Sequence, residues 1–116
     1  MRAKVNYFFS PDVDLDNFHP DDTKNFSFLL QAMVGPADVP DSGESLQFIV
    51  CTPQNLEERV AADSVIFGRA LVVVGSSNAD EITGKVRKVI EQIQAPTWQE
   101  LAQKLARLGI YEFEDF

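Results

Sequence analysis

Few side chains in this sequence could carry out covalent or acid–base chemistry. Its 116 residues include one histidine and one cysteine. His19 lies in Phe18-His19-Pro20, without the nucleophile and orienting group that a general base works with. Cys51 alternates with apolar residues and has no basic neighbour to lower the pKa of its thiol, which is typical of a small buried hydrophobe. We therefore expect no catalytic residues, and a protein that is not an enzyme.

Signals for metal or phosphate binding are equally weak. The run Asp12-Val13-Asp14-Leu15-Asp16 resembles the start of a calcium-binding loop. However, Asn17 stands where that loop needs glycine, and Thr23 where it needs a bidentate glutamate. A single cysteine cannot form a thiolate zinc site, and no glycine-rich segment has a phosphate-binding pattern. The sequence predicts no metal and no cofactor, and a solvated acidic loop is the simpler interpretation.

Charge is unevenly distributed along the chain. The sequence has 18 acidic and 10 basic residues, a formal net charge of −8. Residues 10–63 hold eleven acidic against two basic residues, a net of −9, whereas residues 70–108 hold four against five. Such an acidic half repels nucleic acids and anionic lipids and attracts a basic protein partner. Solubility alone is the other explanation of this charge.

Two groups of acidic residues are the candidate contacts for a basic partner. The first group lies in a long loop at residues 10–25, which we rank first because loops carry binding residues more often than packed strands do. The second group belongs to the C-terminal tail. The candidate residues are Asp12, Asp14, Asp16, Asp21, Asp22, Glu112, Glu114 and Asp115.

Alternation of apolar and polar residues predicts the strands that position these segments. Strands are expected at residues 3–9, 26–34, 44–52 and 70–74. In the first strand, Ala3, Val5, Tyr7 and Phe9 would share one face. Successive strands joined by short loops usually pair antiparallel, and residues 67–69 are interpreted as a turn around Gly68.

Three helices are predicted from capping residues and helical spacing. The first begins at Thr52-Pro53, runs to residue 62 and carries a short stripe of Leu56 and Val60. The second helix is capped by Ser77 or Asn78, and it would bury Ile82, Val86, Val89, Ile90 and Ile93. The third helix begins with the capping box Thr97-Trp98-Gln99-Glu100, and it would bury Trp98, Leu101, Ala102, Leu105 and Leu108. The predicted fold class is α+β, a single domain over residues 1–116. It has a mostly antiparallel sheet of about four strands, with the last two helices packed on one face.

Several segments, in order, resemble the immunity protein 8 family of bacterial polymorphic toxin systems. The segments that carry the resemblance are Phe9-Ser10-Pro11-Asp12, Phe18-x-Pro20-x-Asp22, Asn25-Phe26, Gly35-Pro36, Gly43-Glu44-Ser45-x-x-Phe48, Val50-Cys51-Thr52-Pro53 with Leu56, Phe67-Gly68-Arg69, Thr97-Trp98-x-Glu100-x-x-x-x-Leu105, and Gly109-x-Tyr111-Glu112-Phe113-Glu114-Asp115-Phe116. They span nearly the whole chain. Tyr111 stands where many members of the family have tryptophan.

The resemblance implies a small non-enzymatic α+β protein that binds and neutralises the toxin domain of a cognate secreted effector. The acidic charge of this chain further suggests that the toxin has a basic cleft, as a nuclease does. The basic start, Met1-Arg2-Ala3-Lys4, is not followed by the apolar core of a signal peptide. We therefore expect a cytoplasmic protein without a nucleic-acid or membrane partner. The alternative is a small domain that binds metal through its acidic loop or has a structural, accessory role.

Overall fold

The computed structural model of the chain describes residues 1–40 and 43–112. Along the chain, the elements are β1 (Ala3–Phe9), β2 (Ser27–Pro36), β3 (Glu44–Cys51), α1 (Pro53–Asp63), β4 (Leu71–Val73), α2 (Ala79–Glu91), α3 (Trp98–Leu105) and β5 (Ile110–Tyr111). A short 3-10 turn, Leu15–Asn17, lies in the loop between β1 and β2. The predicted α+β class, with three helices and a mostly antiparallel sheet, is confirmed.

The sheet has five strands, and β1, β2, β3 and β4 lie side by side in that order. β2 pairs antiparallel with both β1 and β3, whereas β4 runs parallel to β3 after the crossover through α1. β5 pairs antiparallel with Leu46 and Gln47 of β3, so it shares with β4 the edge of β3 that faces away from β2. With only two residues, β5 is too short to show any alternation in the sequence.

An irregularity in β1 corrects the predicted facing of its residues. The register shifts between Val5 and Tyr7, so that Asn6 is an extra residue against β2. Such a bulge moves every later side chain to the other face. Phe8 consequently packs against the core, while Tyr7 and Phe9 are 57% and 51% exposed on the opposite face. The prediction that Ala3, Val5, Tyr7 and Phe9 share one face is therefore wrong after Val5.

One face of the sheet forms the core with α2 and α3. The fully enclosed side chains on these helices are Ile90, Leu101 and Leu105, which join Leu30 and Leu46 of the strands in one cluster. Both helices begin at the predicted caps, because Asn78 accepts a hydrogen bond from the Glu81 backbone and Thr97 from that of Glu100. Burial of the predicted stripes is confirmed for Ile82, Val86, Ile90, Leu101 and Leu105. Ile93, Trp98 and Leu108 pack against the core but are only partly buried, Ala102 is partly exposed, and Val89 is 50% exposed.

Helix α1 departs from the prediction because it contains no buried residue. Its start is as expected, with Thr52 accepting a hydrogen bond from the Asn55 backbone and Pro53 in the first turn. The Arg59 guanidinium donates to the Ser27 hydroxyl. Ser27 precedes the core residue Phe28, so its side chain lies on the opposite face of the sheet. α1 therefore lies outside the core that α2 and α3 cover.

Side chains of α2 also occupy the free edge of β1. The Val5 backbone N–H donates to Glu91 at 2.9 Å, and Arg87 donates to the Val5 carbonyl at 2.7 Å. Arg87 also stacks over the Phe8 ring and lies 3.5 Å from Glu91. These contacts satisfy the backbone groups that a bulged edge strand otherwise leaves to solvent or to another chain.

Neighbouring residues of α2 provide a test of this packing. We expect Ile90→Ala to lower the free energy of unfolding by roughly 2–5 kcal/mol, because it leaves a cavity in the core. Val89→Ala should change it by less than about 0.5 kcal/mol, because that side chain is half in solvent. Urea unfolding monitored by circular dichroism measures both. Equal losses in the two variants would contradict the orientation of α2.

Candidate functional site

The acidic loop, residues 10–25, is held on the protein by its apolar side chains. Val13, Leu15 and Phe18 pack against the core. The Phe18 ring lies edge-on to Phe26 and Phe28, with centroid separations of 5.2 and 5.0 Å. The predicted loop aspartates Asp12, Asp14, Asp16, Asp21 and Asp22 are all exposed. The structure therefore brings the first candidate group together on one anchored surface loop.

The carboxylates of three of the five aspartates also accept hydrogen bonds from backbone N–H groups of the fold. The Asp12 carboxylate accepts a hydrogen bond from the Leu29 N–H at 2.7 Å, just beyond the point where β1 stops pairing with β2. Asp14 accepts from the Asp16 N–H at 3.0 Å, and Asp22 accepts from the Lys24 N–H at 2.9 Å. The side chains of Asp16 and Asp21 make no hydrogen bond with any other described residue. Their carboxylates are available to a partner without any loss to the fold.

A shallow cleft separates this loop from the start of α2. Asp16, His19 and Pro20 line one side, and Asn78 and Asp80 line the other. Within residues 1–40 and 43–112, no three His, Cys, Asp or Glu residues are close enough to hold a metal ion. The cleft thus adds Asp80, from another element, to the acidic surface.

The second candidate group, in the tail, is only partly within the described residues, since Glu114 and Asp115 lie outside them. Glu112 accepts a hydrogen bond from the Ser45 N–H at 2.6 Å, and its own N–H donates to the Ser45 carbonyl at 3.0 Å. The Glu112 carboxylate therefore fastens the end of β5 to β3. Glu112 therefore has a structural role, whereas the sequence analysis considered it only as a contact for a partner.

The Glu112 carboxylate also lies near that of Glu44. Glu44 accepts a hydrogen bond from the Trp98 side chain, but its Oε2 atom is buried without a partner among the described residues. Burial raises the pKa of Glu44, the negative charge of Glu112 raises it further, and the Trp98 hydrogen bond partly opposes both. The ionised form of Glu44 is thus less favourable in the folded protein than in the unfolded chain.

The two residues that could have suggested catalysis lie apart from each other. Cys51 is fully buried in β3, and burial raises the pKa of its thiol, although the charge of Arg59 partly opposes this. The prediction of a small buried hydrophobe is confirmed. His19 is exposed on the acidic loop. Cys51 and His19 therefore do not form a pair of nucleophile and base.

An open groove of about 460 Å³ lies between β4 and α2. Its walls are mainly aliphatic, with Val72, Val74, Val86 and Ile90 among the lining residues. Glu81 and Lys85 are its charged residues. The groove has no histidine or cysteine, and it offers apolar contact rather than a convergent set of reactive groups.

Sequence analysis missed the two large apolar side chains that are most exposed among the described residues. Phe67 is 90% exposed and Val65 is 73% exposed, both in the segment between α1 and β4. The sequence interpretation treated residues 67–69 as a turn around Gly68 and as one segment of the family resemblance, not as an exposed apolar segment. An aromatic residue beside a turn glycine, outside any strand or helix pattern, is the signal that could have identified this segment.

The pKa of Glu44 predicts how acidity affects the fold. We expect Glu44→Gln to raise the midpoint of thermal unfolding at pH 7, because it removes a charge that the folded state disfavours while an amide oxygen can still accept from Trp98. A raised carboxyl pKa means that the folded state binds the proton more tightly, so this part of the stability rises as pH falls. The advantage of Glu44→Gln should therefore shrink as pH falls through the Glu44 pKa.

The control for this prediction is Glu57→Gln, which removes the same charge from an exposed position on α1. It should shift the midpoint little, and without the same pH dependence. A Glu44→Gln protein that is less stable than the native protein at pH 7 would contradict the balance of interactions described for Glu44.

Comparison with protein families identifies the family of this chain. A family profile described as Immunity protein 8 matches residues 3–116, which is essentially the whole chain. No curated protein and no solved structure matches it. Within the described residues, no helix combines the length and apolar character needed to cross a membrane. The match spans both the acidic loop and the tail, and the chain therefore belongs to the Immunity protein 8 family.

Proposed function

We propose that the chain binds the toxin domain of a cognate secreted effector and blocks its action in the cytoplasm of the producing cell. Membership of an immunity protein family supports binding to a cognate toxin. Inhibition by binding needs a preorganised surface rather than reactive groups. The observation that carries the proposal is the acidic loop, whose five exposed aspartates stand on a segment anchored by Val13, Leu15 and Phe18.

Charge supports a basic toxin domain. Complementary charges accelerate encounter and align the partners, and an acidic inhibitor fits a cleft that itself attracts phosphates. A nuclease has such a cleft because it binds the nucleic-acid backbone. We therefore propose that Asp16 and Asp21, with Asp12, Asp14 and Asp22 beside them, face a basic cleft of the toxin. Glu112, Glu114 and Asp115 remain a second contact group.

The salt dependence of association tests the role of the loop. The double variant Asp16→Asn/Asp21→Asn should fold normally, because neither carboxylate has a hydrogen bond to lose within the described residues. We expect it to associate about 3–10 times more slowly at low salt with the toxin domain encoded by the neighbouring gene. The difference should nearly vanish above about 0.5 M salt, where charges are screened within a few ångströms. Stopped-flow binding measures both rates.

The matched control removes two exposed charges elsewhere, in Asp38→Asn/Glu100→Gln. It should slow association by less than about twofold, since steering depends on charges near the contact. If the two double variants associate equally fast, the loop is a solubility feature and recognition lies elsewhere.

The proposal also predicts that protection needs neither of the residues with catalytic potential. Cells that express the toxin should survive equally well with native protein, with His19→Ala or with Cys51→Ala, provided that circular dichroism shows each variant to be folded. Loss of protection in a folded His19→Ala protein that still binds the toxin with native affinity would indicate a chemical role and contradict inhibition by binding alone.

A further inference from the structure

The most exposed large apolar side chain in the described part of the chain is Phe67, at 90% exposure. Val65 is 73% exposed in the same segment, and Val60, in the last turns of α1, is 42% exposed. Single exposed apolar residues are common, and here three of them fall within residues 60–67 of the chain. We name Val60, Val65 and Phe67 the apolar ridge.

The helix that leads into the apolar ridge, α1, contacts the described part of the fold only through partly exposed side chains. α1 buries none of its eleven residues, although a crossover helix normally packs an apolar stripe onto its sheet. Val60 repeats after Leu56 at helical spacing, yet it faces solvent. Among the described residues, Val60 therefore stays exposed on the helix that precedes the segment with Phe67.

The segment that carries Phe67 begins and ends at residues with an unfavourable backbone conformation. Ser64 and Ala70, at its two ends, both have a φ of 66°, a left-handed conformation that is unfavourable for residues other than glycine. Such backbone strain concentrates at functional sites. Arg69 donates hydrogen bonds to the carbonyls of Ala106 and Gly109 at 2.9 and 3.3 Å, which ties the segment to the end of α3. A rigid aromatic side chain loses little conformational freedom on binding.

Charge around the apolar ridge favours a basic partner. Glu57, Glu58 and Asp63 lie on the exposed surface of α1. The two cations of this region, Arg59 and Arg69, are both engaged in hydrogen bonds within the protein. An anionic membrane would be repelled by these acids, and a symmetric contact with a second copy would place like charges together. A basic protein with an apolar pocket fits both features.

The apolar ridge is connected to the acidic loop through α1. Asn25, at the end of the loop, donates to the Glu58 carboxylate at 2.9 Å. The side-chain amide of Asn55 in turn donates to the side-chain oxygen of Asn25 at 3.1 Å. Asn25 therefore joins the end of the acidic loop to α1, the helix that leads into the segment with Phe67.

We propose that Phe67, supported by Val65 and Val60, is the apolar anchor of the toxin interface and inserts into a pocket of the toxin domain that is rimmed by basic residues. This inference rests on the proposed function. Charge on the acidic loop directs the encounter, and the anchor determines how long the complex lasts. Aromatic anchors at the centre of an interface commonly carry most of its binding energy.

The test compares two exposed phenylalanines in binding to the toxin domain encoded by the neighbouring gene. Phe67→Ala should raise the dissociation rate by about 30-fold and change the association rate by less than about twofold, because truncating an anchor acts after the encounter. The matched control is Phe9→Ala, which is 51% exposed on the open face of the sheet and should change both rates by less than about twofold. Unchanged thermal midpoints would show that both variants fold.

The outcomes separate this inference from the proposed function. Native protein that fails to bind the toxin domain overturns both. Native binding with an unchanged Phe67→Ala dissociation rate overturns the anchor alone, and a large effect of Phe9→Ala instead assigns the contact to the sheet face. Sedimentation equilibrium of the native protein and Phe67→Ala is measured in parallel. A native dimer that becomes monomeric in Phe67→Ala would assign the apolar ridge to self-association and overturn the anchor as well.

Discussion

Burial of a single face of the sheet under α2 and α3 is the constraint on which the rest of this structure depends. Ile90, Leu101 and Leu105 are fully buried in that layer, and Arg87 and Glu91 of α2 bond the backbone at the bulged edge of β1. Because these two helices supply the core, α1 is not needed there and stays outside it. The fold is thereby stabilised on one side and leaves a helix, a loop and an open sheet face free for a partner.

The division between a packed side and an exposed side of the fold explains why its acidic residues have two kinds of role. Asp12 and Glu112 lie at strand ends and accept backbone hydrogen bonds that the sheet leaves unpaired. Asp16 and Asp21 project from the anchored loop and stabilise nothing else in the described chain. An acidic surface can therefore be tuned to a partner at some positions without destabilising the fold, while changes at others alter the sheet itself.

Local rules predicted much of the fold from the sequence. The caps at Thr52, Asn78 and Thr97 depend on hydrogen bonds within one turn, and the strands alternate visibly. The bulge at Asn6 was not predictable, because the side chains that bond the neighbouring Val5 backbone, Glu91 and Arg87, lie more than eighty residues away in α2. The stripe of α1 had the right spacing, but α1 buries none of its residues against the sheet. In the candidate site, loop exposure followed from composition, whereas the hydrogen bond from the Leu29 N–H to Asp12 and the exposure of Phe67 depend on tertiary structure.

The central claim is that the surface from the acidic loop across α1 to Phe67 contacts the toxin. Hydrogen–deuterium exchange of the chain with and without the toxin domain tests it most directly. The account predicts slower exchange on binding in peptides that cover residues 12–22 and 57–67, with little change in residues 82–90 of α2. Slower exchange confined to α2 and β4, with residues 12–22 and 57–67 unchanged, would place the toxin on the groove between those elements and contradict the account.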